Sequence, residues 1–200
     1  MMKKIIVATG NKGKLKEIRE IFGNSPFDLT AMGDVWKPTP EIEENGSSFF
    51  QNAKIKADWV FNNSGLWALA DDSGLEVDFL NGEPGVRSAR YAGEQCDNEA
   101  NNAKLLDALH STESHLRTAR FRCVMVLKTG EDSYISADGV CEGVIGFEPQ
   151  GSGGFGYDPL FIPVSETLSF AQLSSEKKNL LSHRGIALRI LREKIDGLFT

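Results

Sequence analysis

The chain has 200 residues, 40% hydrophobic and 25% charged, the proportions of a soluble globular protein of one domain, or of one domain with two lobes. A net charge of −6 excludes the broad basic surface of a general nucleic-acid or acidic-membrane binder, but leaves room for a small polyanion held by a few lysines. Cys96, Cys123 and Cys141 are odd in number, widely spaced and without a CxxC, which argues against a disulfide framework or a zinc site and fits a reducing cytoplasm.

At the N-terminus, Lys3-Lys4 precede the apolar run Ile5-Ile6-Val7-Ala8. That run is too short for the core of a signal peptide, and no stretch is long enough to span a membrane. Residues 4–8 instead read as a short buried strand. Thr9 to Lys14 form a loop, and a helix follows from about Lys14 to Phe22, with Leu15, Ile18 and Phe22 at helical spacing and Gly23-Asn24 as its stop. Lys37-Pro38-Thr39-Pro40 breaks regular structure. Ser47 or Ser48 caps a second helix to about Asn62, whose apolar stripe is Phe49, Ala53, Ala57, Val60 and Phe61. Leu66–Ala70 is a strand, and Glu76–Leu80 either continues it or forms another after an acidic turn at Asp71 to Gly74. Asn81 to Gly85 is a turn cluster. Asp97 caps a helix through Leu109. Thr118–Leu127 alternates Phe121, Cys123, Met125 and Leu127 on one face, and Ser133–Glu142 pairs with it as a hairpin. Leu160–Ile162 is a small strand. Ser182 caps a terminal helix carrying Ile186, Ile190, Leu191, Ile195 and Leu198. These elements predict an α/β fold, and the hairpin predicts a mixed sheet.

Chemistry concentrates at a few places. A glycine-containing turn between strand and helix offers backbone N–H groups and a positive helix end to a phosphate, with Lys14 beside it, or else is an ordinary connection; it lacks Walker A spacing. Lys56 falls beside the apolar stripe of the second helix, where it either snorkels over the core edge or points into a cleft. Lys54 and Asp58 read as solvent-facing charges without a role. The adjacent carboxylates Asp71 and Asp72 are costly to bury and call for a cation, Mg²⁺ being the usual bridge between one or two carboxylates and substrate phosphates. The competing reading is an Asx-type turn in which Gly74 takes a positive φ. Glu41, Glu43 and Glu44 are either dipole partners of the following helix or donors of a further metal ligand. Phe155 in the run Phe155-Gly156-Tyr157-Asp158-Pro159 either stacks on a base or is packed. His183 and Arg184 are cations in a first helical turn, unfavourable for the dipole, and carry donors suited to a carbonyl or phosphate oxygen. His110 and His115 look incidental. The inventory is that of a metal-dependent site for a phosphorylated, base-containing small molecule.

In order, Thr9-Gly10-Asn11-Lys12-Gly13-Lys14, Ala70-Asp71-Asp72-Ser73-Gly74-Leu75, Ser88-Ala89-Arg90-Tyr91, Gly153-Gly154-Phe155-Gly156-Tyr157-Asp158-Pro159 and Ser182-His183-Arg184-Gly185 resemble the inosine triphosphate pyrophosphatase family. The resemblance covers essentially all of residues 1–200 as a single two-lobed domain. It implies an elongated mixed β-sheet flanked by helices, with two lobes around a central cleft. It also implies Mg²⁺-dependent hydrolysis of inosine, deoxyinosine and xanthosine triphosphates to monophosphate and pyrophosphate by a homodimer; the charge and cysteine usage above add a cytoplasmic setting without nucleic-acid or membrane partners. By the same resemblance, Thr9, Gly10, Asn11, Lys12, Gly13 and Lys14 hold the triphosphate, assisted by Lys56 and Ser73. Asp72 is the proton acceptor and a metal ligand, and Glu44, which directly precedes the Asn45-Gly46 turn, is a second ligand. Phe155, Gly156, Tyr157, Asp158, Lys178, His183 and Arg184 form the base pocket. Lys178 is chosen over Lys177 because it precedes His183 by five residues, as in the family.

Overall fold

The computed structural model of the chain describes residues 3–22, 27–94 and 96–197. Strand β1 (Lys3–Val7) is the expected β-branched run, with Ile5, Ile6 and Val7 buried. Helix α1 (Lys12–Phe22) starts two residues earlier than the apolar spacing suggested. The reason is Asn11, whose Oδ1 accepts the Lys14 N–H at 3.1 Å while its carbonyl accepts that of Leu15 at 3.0 Å, an N-cap that leaves Lys12 as the first helical residue. The expected stop at Gly23-Asn24 lies outside the described residues. Strand β2 (Phe27–Ala31) and the short helix α2 (Met32–Val35) were not anticipated. Helix α3 (Phe49–Ser64) is capped by Ser48, not Ser47, and ends at Gly65 in the left-handed region with φ 69°.

Strand β3 (Trp67–Val77) corrects the sequence reading most. It runs unbroken through Asp71, Asp72, Ser73 and Gly74. There is no acidic turn, and Gly74 does not take a positive φ. Helix α4 (Asn98–Ala108) is capped by Asp97, whose carboxylate accepts from the Glu99 and Ala100 N–H groups. Strands β4 (Thr118–Gly130) and β5 (Ser133–Ile145) extend beyond their predicted ends across a tight turn at residues 131–132. Strand β6 (Phe161–Pro163), helix α5 (Ser175–Leu181), capped by Ser174 and unforeseen, and helix α6 (His183–Asp196) complete the fold. Leu198, placed on the last helix by its spacing, lies outside the described residues.

The strands form one sheet in the order β2-β1-β3-β4-β5-β6. β1 is parallel to β2 and β3, whereas β5 and β6 are antiparallel, so the sheet is mixed as expected. The chain divides into two compact units. The first (1–72, 123–139 and 184–200) has a core of β1, β3, β4, α1 and α6 side chains, including Ile5, Ile18, Leu69, Met125, Leu188 and Leu191. The second (73–122 and 140–183) is built around Leu75, Leu105, Leu109, Phe121, Phe161 and Phe170. Each fully buried aliphatic or aromatic side chain of this kind contributes about 1.5–3 kcal/mol of transfer free energy. No helix among the described residues is long and apolar enough to cross a membrane.

Candidate active site

Successive strand side chains point to opposite faces, so a straight β3 separates the two adjacent aspartates that a turn would have left together. Asp71 shares its face with Leu69 and meets the α1 and α6 side. Its Oδ2 is 3.0 Å from Lys14 Nζ and accepts from Arg184 Nε and Nη2 at 3.4 and 3.3 Å. Arg184 Nη1 also donates to Glu17 on α1. Asp71, Arg184 and Glu17 are all buried. Burial alone would raise the Asp71 pKa, but Lys14 and then Arg184 outweigh it and hold the carboxyl well below the usual carboxylate range. Asp71 in turn raises Lys14 and Arg184 above their ordinary values against the effect of burial, and Glu17 adds to the rise of Arg184.

The Arg184 guanidinium, which the resemblance assigns to the base pocket, bonds to two carboxylates of the first unit. Those acids also offset the cost of a cation in the first turn of α6.

Asp72 meets α3 instead. Asn52 Nδ2 donates to its Oδ2 at 3.0 Å. One helical turn on, Lys56 is 8% exposed with its ammonium 2.8 Å from Glu44 Oε2, so the stripe-edge lysine turns inward and does not snorkel. Of the acids before α3, it is Glu44 that meets Lys56. Burial raises the Asp72 pKa, and nearby Glu44 adds to the rise. Lys56, Lys14 and the Asn52 hydrogen bond oppose it without cancelling it. Neighbouring residues of one strand thus titrate in opposite directions. Beside them, the Thr9–Lys14 segment is held by Thr9 Oγ1, which accepts the Asn11 N–H at 3.1 Å. Gly10 is exposed, and a Cβ there would meet no atom within 4 Å.

In the second unit the glycine-rich run wraps the Asp158 carboxylate. Its Oδ2 accepts the Phe155 N–H at 2.8 Å and the Lys178 ammonium at 2.6 Å, and the ammonium lies 4.9 Å from the centroid of the Phe155 ring. Lys178 is buried, whereas Lys177 is exposed and paired with Glu166. The ring of His183 stacks on Phe121 with centroids 4.7 Å apart. Tyr157 donates to the Ser88 carbonyl at 2.8 Å, and Gly156 accepts from Asn102 at 3.0 Å. Ser73 lies on β3 and is half-buried.

Gly154 has φ 73°, and a Cβ there would stand 2.0 Å from Asp158 Oδ2. Gly154→Ala is therefore expected to displace that carboxylate and to destabilise the protein by at least about 1–2 kcal/mol from the left-handed backbone alone. Urea denaturation measures this, and an unchanged midpoint would show that the loop yields without cost.

Other expectations fared unevenly. Lys54 and Asp58 do not merely face solvent. Lys54 pairs with Asp58 at 2.6 Å, and Tyr134 and the buried Lys128 bond to the same carboxylate, joining α3 to the β4–β5 hairpin. His110 and His115 are exposed and make only local contacts. Sequence reasoning missed Asn52 and Glu17. The available signal was a polar residue among the stripe positions of α3, and an acid three residues after Lys14 on α1.

Fold and site together define a mixed α/β protein with an acid–lysine centre on one strand of its first unit. A family model described as the Ham1 family matches residues 5–194. A protein of Thioalkalivibrio sulfidiphilus named dITP/XTP pyrophosphatase is 52% identical over 197 residues, spanning 97% of this chain and 99% of its own. One of the same name from Geobacter sulfurreducens is 48% identical over 194 residues, spanning 97% of each. The solved structure of a HAM1 protein from Coxiella burnetii matches with a TM-score of 0.88 at 39% identity, spanning 98% of this chain and 100% of that one. The chain belongs to the Ham1 family, in agreement with the resemblance drawn from its motifs.

Proposed function

We propose that this chain hydrolyses inosine, deoxyinosine and xanthosine triphosphates to the monophosphate and pyrophosphate, clearing them from the nucleotide pool. The observation that carries the reading is the divergence of Asp71 and Asp72. One carboxylate is locked in an ion pair with Lys14 and Arg184, and the other, bonded to Asn52 and near Lys56, has its pKa raised by burial. Titratable neighbours pushed apart in this way mark an acid–base assignment. The names of the relatives support the choice of substrate.

The Thr9–Lys14 segment holds the triphosphate, with Ser73 assisting; the Asn11 and Lys14 N–H groups are already bonded within the segment. Asp72 takes the proton of a water attacking the α-phosphorus in line, and Lys14 and Lys56 stabilise the charge that grows on the phosphate oxygens. Phe155 to Asp158 shape the base pocket, and Lys178 and His183 supply donors to the purine 6-keto oxygen. Adenine presents an amino group there and leaves those donors unpaired, a mismatch that can discriminate by about 10⁴ or more.

Among the described residues no cluster of three or more His, Cys, Asp and Glu could hold a metal ion. Mg²⁺ needs none, because it takes one or two carboxylates together with substrate phosphates and water. Glu44 and Asp72 fit that demand: both are hard oxygen donors, close enough for the charge of one to raise the pKa of the other. Mg²⁺ held there would neutralise phosphate charge and acidify water. The working form is read as a homodimer in a reducing cytoplasm. The family resemblance supports the dimer, and the free thiol of exposed Cys96 supports the compartment.

A panel of nucleoside triphosphates, scored for pyrophosphate release with Mg²⁺ and with excess chelator, tests the proposal. Inosine and xanthosine triphosphates are expected to react at least about 10³-fold faster than ATP, within the discrimination such a site can reach, and chelator is expected to abolish turnover. Equal rates on all nucleotides, orthophosphate as product, or full activity in chelator would overturn it.

A further inference from the structure

We infer that Asn52 is a positioning residue that sets the orientation of the Asp72 carboxylate and ties it to the segment carrying Glu44. The inference rests on the pyrophosphatase reading above. Asn52 is 1% exposed, an uncommon place for an amide in a helix face otherwise lined by Phe49, Ala53 and Ala57. Its two ends are both used. Oδ1 accepts the Gly46 N–H at 2.8 Å, and Nδ2 donates to Asp72 Oδ2 at 3.0 Å. These partners dictate the way the amide faces, because a backbone N–H can meet only the oxygen and a carboxylate only the nitrogen. Gly46 is part of the arrangement. A Cβ there would stand 2.7 Å from Asn52 Oδ1, so only glycine lets the backbone approach the amide this closely.

The consequence is a small scaffold on one turn of α3. Asn52 holds Asp72 and, through Gly46, the chain two residues beyond Glu44, while Lys56 holds Glu44 itself at 2.8 Å. A buried amide with both ends bonded has few alternative rotamers, so it fixes the carboxylate plane in a way that a flexible contact would not. Asn52 touches no substrate atom in this scheme and acts only through Asp72.

The test is a double-mutant cycle on inosine triphosphate hydrolysis. Asn52→Asp keeps an acceptor for Gly46 but replaces the donor to Asp72 with a second carboxylate. It is expected to lower kcat by about 10- to 100-fold, the scale of losing a hydrogen bond to a charged group, with KM within about 3-fold, and to lower the melting temperature by the cost of a second buried carboxylate beside Asp72. In an Asp72→Asn background the same change is expected to cost no further kcat, because the charge it positions is already gone. An unchanged kcat for Asn52→Asp, an equal loss in both backgrounds, or a rise confined to KM would each overturn the inference, since Asn52 would then serve the fold or the phosphates. If Asn52→Asp does not fold, Asn52→Ser enters the same cycle with the same criteria. Wild-type turnover is measured alongside. Its absence overturns the pyrophosphatase reading and this inference with it, whereas an active wild type with an additive cycle overturns this inference alone.

Discussion

Asp72→Asn is expected to lower kcat by about 10²–10⁴-fold while leaving the melting temperature within a few degrees of wild type, the scale of a lost general base. The substitution keeps the volume of a side chain that is 7% exposed, and the oxygen of the introduced amide still accepts from the Asn52 donor, which lies 3.0 Å from the native carboxylate, so packing and hydrogen bonding survive. The basicity and the negative charge do not. A raised pKa makes the carboxylate a stronger proton acceptor than an ordinary surface aspartate, and that is the property asparagine lacks. Steady-state kinetics and thermal unfolding on the same preparations check both halves. If Asp72→Asn kept near-normal kcat while Asp71→Asn lost it, the roles of the two aspartates would have to be exchanged.

Arg184→Ala is expected to destabilise the protein by about 3–5 kcal/mol, the usual cost of removing one partner from a buried ionic network. Asp71 would retain Lys14, but Glu17 would lose its guanidinium partner in the interior. For a chain of this size that corresponds to a fall in melting temperature of about 6–20 °C. Catalytic loss is expected to fall in equal proportion on inosine triphosphate and on ATP, the result for a residue that acts through Asp71 and Lys14. A drop confined to inosine triphosphate, with an unchanged melting temperature, would return Arg184 to the base pocket. The network also has a pH signature. Asp71 is depressed in the folded state, so its stabilising contribution is complete above its unfolded pKa of about 3.9 and is lost as pH falls below that value towards the folded one. In Arg184→Ala that acid-dependent part of the stability curve should shrink.

The elements readable from the chain were those with a local cause. The β-branched run of β1, the stripe of α3 with Ser48 before it, the Asp97 cap of α4 and the alternation in β4 each follow from residues within a few positions of one another. The missed elements lacked such a cause. β2 is a five-residue segment whose existence depends on parallel pairing with β1, and α5 is a seven-residue helix too short for a period to show. The Thr9–Lys14 segment, the aspartate pair and His183 could be singled out because their motifs are contiguous in the chain and resemble a known family, and Lys178 by its five-residue spacing to His183.

By itself, then, the sequence determined the α/β class, the mixed sheet and the residue types of the site. Tertiary structure decided what each of those residues does. Asp71 and Asp72 are adjacent in the chain and chemically identical. They become an ion-pair anchor and a raised carboxylate only because β3 stays straight and turns them to opposite faces, one towards Lys14 and Arg184, the other towards Asn52. Arg184 is 113 positions from Asp71 and 167 from Glu17. No local pattern encodes such distant partners, and a charge in a low-dielectric interior takes its role from whichever opposite charge the fold brings to it.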